Sequence, residues 1–193
     1  MSAIVLTSET LIGTPAPGNI EYNGQFFGTD SASSRAQLQR IVLSTAVAST
    51  SGTSINFTGI PAWAERITVM FQGVSSNSSS LWLLQLGTSS GVVITGYLGR
   101  VRDLGSVNSA YSAGFTLLTD SSNGAILHGL IQVVTLGSNN FAMSGILSRS
   151  DGANQYISGG SMALGGVLDR VRLTTVNGTD TFDAGSVNIL YEG

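Results

Sequence analysis

Runs of alternating apolar and polar residues, punctuated by Gly, Ser, Asn and Asp, dominate this chain and predict short β-strands. From Arg66 to Gly73, Ile67, Val69 and Phe71 share one face while Thr68, Met70 and Gln72 share the other. Similar runs predict strands at Arg40–Ala46, Ser54–Thr58, Leu81–Gly87, Val92–Tyr97, Gly114–Leu118, Ala125–Thr135, Asn140–Arg149, Asn154–Ser161, Val167–Thr175 and Thr181–Tyr191. Only Ser34–Gln39 has the character of a turn or two of helix. Many short strands at this spacing argue for an all-β protein, an antiparallel β-sandwich of jelly-roll type.

The C-terminal pattern is the most detailed. Val171 and Leu173 alternate with Arg170, Arg172 and Thr174, Asn177-Gly178 follows as a tight-turn pair, and a return strand carries Phe182, Ala184, Val187, Ile189 and Tyr191. This predicts a hairpin with a type I′ turn. The parity of the return strand changes at Gly185, which predicts a bulge that keeps both halves facing one core. Near the other end, Ile20–Tyr22 and Gln25–Phe27 flank Asn23-Gly24 as a miniature hairpin, after a connector containing Gly13, Pro15, Pro17 and Gly18. The expected organisation is an arm over residues 1–38 and a sandwich over 39–193.

A two-stranded hairpin is marginal in water, yet Tyr22, Phe26 and Phe27 are large apolar groups. They need something to pack on. Three copies meeting on an axis would bury them, and so would the chain's own sandwich.

Composition narrows the function. The chain has 193 residues, long enough for one sizeable core, and a net charge of −3 with eight basic residues, all arginine. A surface of Ser, Thr, Asn and Gly with so few cations has no basis for binding nucleic acid by counterion release. The absence of cysteine removes disulfides, thiolate catalysis and most zinc sites. The N-terminal MSAIVLTSETLIG lacks the basic and apolar regions of a signal peptide. Ala125–Leu136, broken by His128, Gly129 and Gln132, is too short to span a bilayer.

Candidate chemistry is sparse. His128, the only histidine, lies in an apolar strand without a nucleophile motif and reads as a hydrogen-bonded strand residue. Asp120, Asp151, Asp180 and Asp183 lie in or beside turns with no calcium-loop spacing, as Asx-turn residues do. Glu65, Asp103, Asp120 and Asp151 are the acids from which a glycosidase pair would have to come. Asn56, Asn77 and Asn177 begin N-glycosylation patterns that chance explains in so Asn/Ser/Thr-rich a chain. No catalytic residue, metal site or cofactor is expected.

For binding, the long polar connection from Gly99 to Ala113 supplies Arg100, Arg102, Asp103, Asn108 and Tyr111 as a candidate host-glycan contact, with the Asp151–Gln155 loop second. A solvated loop or a trimer contact is the alternative. Trp63 suits a plug at the sandwich end, and Trp82 shares parity with Leu84 and Leu86 and belongs in the core.

Three blocks carry a resemblance. LDRVRLTTVNGTDTFDAGSVNILYEG (168–193) resembles the closing segment of small β-structured proteins among the tail-fibre and other virion proteins of tailed bacteriophages. SINFTGIPAWAERITVMFQGVSSN (54–77) resembles the opening of the same module, and GTPAPGNIEYNGQFFGTDSASSRAQ (13–37) the short hairpin placed ahead of it. The resemblance implies a non-enzymatic virion protein, assembled in the bacterial cytoplasm, most naturally a homotrimeric tail-fibre or tail-tip module for host attachment and receptor binding. Its partners would be itself, other tail or capsid proteins, and host surface glycan, with Tyr22, Phe26 and Phe27 as trimer or attachment contacts. A head fibre or capsid decoration protein is the alternative, because the hairpin comes almost at once with no long shaft. A glycan-degrading tail enzyme is the third.

Overall fold

The computed structural model describes residues 10–23, 25–103, 108–120 and 122–193. The chain divides into two compact units, residues 1–40 and 41–193.

The first unit is a three-stranded antiparallel sheet of β1 (Ile20–Tyr22), β2 (Phe26–Thr29) and β3 (Arg35–Gln37). The expected hairpin is present, with Tyr22 opposite Phe26 and Ile20 opposite Gly28, while Gly24 at its tip lies outside the described residues. The expected helical turn over Ser34–Gln39 is not formed. Asp30 accepts the amides of Ala32 and Ser34 through one carboxylate oxygen at 2.9 and 2.8 Å, and Ser33 takes a φ of 60°. This Asx turn sends the chain back so that Arg35–Gln37 pairs with Phe27–Thr29. Six residues are too few for an isolated helix. Glu21 clasps Arg35 with both oxygens, at 2.8 and 3.1 Å, and also accepts the Ile12 amide at 2.8 Å.

The second unit is an antiparallel sandwich. It begins with β4 (Ile41–Leu43), β5 (Val47–Ala48), β6 (Ser54–Thr58), β7 (Arg66–Ser76), β8 (Trp82–Thr88) and β9 (Gly91–Val92). Next come β10 (Leu98–Asp103), β11 (Asn108–Ser109), β12 (Phe115–Thr116), β13 (Leu127–Gly137) and β14 (Asn140–Arg149). It ends with β15 (Gln155–Ala163), β16 (Arg170–Thr175) and β17 (Phe182–Glu192). The larger sheet runs β11-β10-β15-β14-β13-β7-β17-β4, with β5 also on β17; the smaller runs β12-β8-β16-β6, with β9 on β8. The antiparallel all-β sandwich expected from the pattern is the architecture found. The chain switches sheets through β6, β7 and β8 and again through β15, β16 and β17, whereas β13, β14 and β15 form a meander within one sheet.

The inward faces of both sheets make one core. Ile67, Val69 and Phe71 of β7 and Val187 and Ile189 of β17 meet Leu84 and Leu86 of β8 and Val171 and Leu173 of β16. Trp82 is fully buried, as its parity predicts. Its ring meets Phe182 edge-on at 5.3 Å across the sandwich, and its indole N–H donates to Ser76 Oγ at 3.1 Å. That bond satisfies the one polar atom a buried Trp brings. Tyr97 does likewise, its buried hydroxyl accepting the Leu86 amide at 2.6 Å; burial pushes the phenol up to about 12.

The expected C-terminal hairpin is not formed. β16 pairs with β6 and β8 in the smaller sheet, and β17 pairs with β4, β5 and β7 in the larger. The segment between them is an arch that crosses from one sheet to the other. Gly178 has a positive φ of 69°, but Asn177 does not, so the paired conformation of a type I′ turn is missing. Asn177 Oδ1 instead accepts from the Thr175 hydroxyl and from the amides of Thr179 and Asp180. Alternation told correctly which face of each strand is buried, and said nothing about which sheet supplies its neighbours. Two consecutive positive φ values occur at Ser138 and Asn139, 51° and 58°, where β13 turns into β14.

The bulge at Gly185 is present. Pairing shifts register between Phe182 and Ala184 and again between Ala184 and Ser186, and Gly185 has a φ of 85°. A Cβ there would sit 2.3 Å from the carbonyl carbon and oxygen of Gly73. Gly178, with a similar φ, has open space around it. Gly178→Ala is therefore expected to cost about 1 kcal/mol, the left-handed penalty alone. Gly185→Ala should cost more than about 3 kcal/mol, because strand separation is added to it. Urea unfolding of both variants checks the difference.

Candidate functional site

The stretch expected as a long polar loop, Gly99–Ala113, is largely an edge hairpin of β10 and β11, with residues 104–107 outside the described set. The correction follows from the alternation of Leu98, Arg100 and Arg102 with the fully buried Val101, which seats β10 on β15 over six paired positions. Arg100 and Arg102 point outward together, and Asn108 is paired opposite Arg102. Asp103 has the other parity and accepts from Asn154 Nδ2 at 3.0 Å, which joins it to the Asp151–Gln155 loop. Tyr111 is exposed. With Arg100, Gly99, Gly114, Phe115 and Gly159 it lines a depression too tight to admit water. The five residues therefore lie along one sheet edge, Arg100 near Tyr111 and Asp103 near Asn154.

The acids at the neighbouring end are structural in their wiring. Arg149 binds Asp151 through Nε, at 3.2 Å, and Nη2, reaches Ser122 Oγ at 3.0 Å, and has Asp120 at 3.9 Å. The Ile126 amide donates to Asp151 at 2.9 Å. Arg149 first, and that amide second, hold the Asp151 carboxyl well below the usual carboxylate range, and the bond to Asp151 in turn raises the guanidinium. Tyr156, almost wholly buried, donates its hydroxyl to Asp120 at 2.8 Å. Burial first, and the hydrogen bond to Asp120 second, push that phenol up. A glycosidase general acid needs a raised carboxyl, and Asp151 is shifted the other way.

His128 shows the same kind of commitment. Its Nδ1 accepts the Gly73 amide at 3.2 Å, and its Nε2 lies 3.2 Å from Ser150 Oγ. The lone pair on Nδ1 fixes the proton on Nε2, which then donates to Ser150. A catalytic serine needs the opposite arrangement, a basic nitrogen facing the hydroxyl. Among the described residues no three His, Cys, Asp or Glu side chains gather as metal ligands would.

In the first unit the sheet has two unlike faces. Ile20, Tyr22, Phe26, Ala36 and Leu38 share one, with the Tyr22 and Phe26 rings 5.0 Å apart. Ile20 is 72% exposed, Phe26 45% and Leu38 48%. Phe27 lies on the opposite face, with Glu21 and Arg35. Of the three residues expected as a trimer or attachment contact, Tyr22 and Phe26 thus share a face with Ile20 and Leu38, and Phe27 is on the other. Carrying the period of two back from Tyr22 reaches Ile20.

Two grooves of the sandwich lie elsewhere. One of 480 Å³ runs past Leu98, Leu136, Phe141, Met162 and Ala163 at an end of the larger sheet. The other, 230 Å³, lies where Ser44, Thr45, Asn56, Thr58 and Tyr191 meet at the open side between the sheets. Comparison with family models, curated proteins and solved structures finds no match to this chain.

The Asp151 clamp has a pH signature. A carboxyl lowered in the folded state stabilises fully above the unfolded value of about 4 and loses that contribution as pH falls below it. Asp151→Asn should therefore lower the melting temperature at pH 7, with the gap to the parent closing toward pH 2. A gap that stays constant across this range would contradict the clamp.

Proposed function

We propose that this chain is a non-enzymatic structural subunit of a bacteriophage particle, a homotrimeric tail-fibre or tail-tip module. One observation carries the reading: the small sheet of the first unit holds Ile20, Phe26 and Leu38 on a single face, largely in water. Three short strands form a stable unit only if such a face is covered. An attachment arm covers it in the assembly, against other copies or against a neighbouring tail protein. The Arg35–Glu21 clasp on the other face sets the sheet before assembly, so less ordering is left to the docking step.

The sandwich is the rigid part in this reading. Asp151 and His128 are bound into structural contacts, and Arg100 and Arg102 are turned outward at a sheet edge. Host glycan contact would act through multivalency: three weak sites on one axis gain avidity from effective concentration with no new contact at any one site. The arm and the sandwich thereby divide assembly from host contact.

Light scattering after size-exclusion chromatography tests the assembly. The full chain is expected to run as a trimer, and Ile20→Ser/Phe26→Ser as a smaller species with the same far-UV spectrum. A parent chain that stays monomeric at high concentration would sink the homotrimer.

A further inference from the structure

We propose that Asn123-Gly124 is a site of spontaneous covalent modification, where the Asn123 amide is lost and aspartate or isoaspartate takes its place. Asn177-Gly178, the same dipeptide in another turn, is held against that reaction by the fold. The inference is independent of the reading of the chain as a virion subunit.

The step needs only the chain and water. The backbone nitrogen of Gly124 attacks the side-chain carbonyl carbon of Asn123, and the new C–N bond closes a five-membered imide ring. The bond from that carbon to the side-chain nitrogen breaks. Ammonia leaves, carrying the proton that the backbone nitrogen gives up. Water then opens the ring at either carbonyl. One opening leaves aspartate, and the other leaves isoaspartate, whose main chain runs through the side-chain methylene. Glycine favours the attack because a residue without Cβ leaves its nitrogen uncrowded, and asparagine is among the thermolabile residues for this reason.

Asn-Gly occurs at 23–24, 123–124 and 177–178, and Gly24 lies outside the described residues. Gly124 and Gly178 both have positive φ, 82° and 69°, and nothing stands within 4 Å of where a Cβ would be. Room for the ring therefore does not separate the two sites. The asparagine side chains do. Asn177 Oδ1 accepts the Thr175 hydroxyl at 2.9 Å and the amides of Thr179 and Asp180 at 3.0 and 3.2 Å. Its Nδ2, the nitrogen that would leave, donates to Asp180. The attacking nitrogen is engaged too, because the Gly178 amide donates to the Thr175 carbonyl at 3.1 Å.

Asn123 has no such hold. It is exposed, and its side chain makes no hydrogen bond to any described residue. Its turn is closed around it by the Ala125 amide, which donates to the Ser122 carbonyl at 2.9 Å, with Gly124 in the third position that a type II turn gives to glycine. The Gly124 amide has only a long contact, 3.4 Å, to the Ser76 carbonyl. Breaking two neutral hydrogen bonds before attack slows a reaction by about tenfold or more. Asn177 must break four at its side chain and Asn123 none, so the modification is selective. Conversion adds one negative charge next in sequence to Ser122, whose hydroxyl Arg149 holds together with Asp151.

The test incubates the full chain at mildly alkaline pH, once folded and once in guanidinium chloride, and reads each Asn-Gly peptide by mass spectrometry. In the folded chain the Asn123 peptide is expected to convert at least tenfold faster than the Asn177 peptide, with isoaspartate among its products. In guanidinium chloride the two should convert at similar rates, because the sequence around each is then all that counts. Asn123→Gln, whose longer side chain closes the ring poorly, should show no conversion at that peptide. Equal rates at Asn123 and Asn177 in the folded chain would overturn the proposal. So would an Asn123 peptide that converts in guanidinium chloride and stays intact in the folded chain. Neither result bears on the trimer, which light scattering reads separately.

Discussion

The close approach of Gly73 and Gly185 is the constraint on which the sandwich depends. β7 and β17 pair along most of their length in the larger sheet, and β17 bends at its bulge, where Gly185 comes up against the Gly73 backbone. The bend lets Phe182 and Val187, which differ in parity, both face the core. Without it, one end of β17 would turn its apolar side chains to water, since a slip of one residue inverts a strand. Phe182 would then lose Trp82, and the edge-on contact linking the two sheets would go with it. Gly73 has a second role, because its amide fixes the tautomer of His128 and so the hydrogen bond to Ser150. A backbone contact in the middle of the sheet therefore sets the wiring of the loop at its end.

The polar groups follow one logic. With few charges in the chain, several polar side chains are committed to neighbours that fix a turn or close a sheet end. Arg149 gathers Asp151, Asp120 and Ser122; Asn177 caps the arch between β16 and β17; Asp30 shapes the turn before β3. The same economy leaves one side of the first unit's sheet, with Ile20, Tyr22, Phe26, Ala36 and Leu38, without charge. That side is where assembly is proposed. Stability is concentrated in the sandwich interior, and association is left to faces that folding does not bury.

The fold was legible wherever a strand keeps one face in the core. Ser54–Thr58 and Asn140–Arg149 have the bounds the alternation predicts, and the parity change in β17 located its bulge. Pairing was not legible. β16 and β17 bury the same sort of face in the same core from opposite sheets, and a local pattern carries no information about which strand lies alongside. Asn177-Gly178 misled because a side-chain-capped arch and a type I′ turn favour the same residues. Around Arg100 and Tyr111 the polar composition hid a strand whose single inward anchor is Val101. An exposed row across β13, β14 and β15, formed by Leu130, Ile146 and Ile157, was invisible because the continuous apolar run around Ile131 gives both parities the same character. Only the registers of three strands reveal that the residues align.

The central claim is that this chain is a built-in part of a phage particle, and localisation tests it most directly. Antibody raised against the folded sandwich would be applied to purified particles from the lysate of cells producing the chain, and gold labelling read by electron microscopy. The account predicts labelling of intact particles at the tail, with the chain retained through density-gradient purification. Chain recovered only in the soluble fraction, with particles unlabelled, would contradict it.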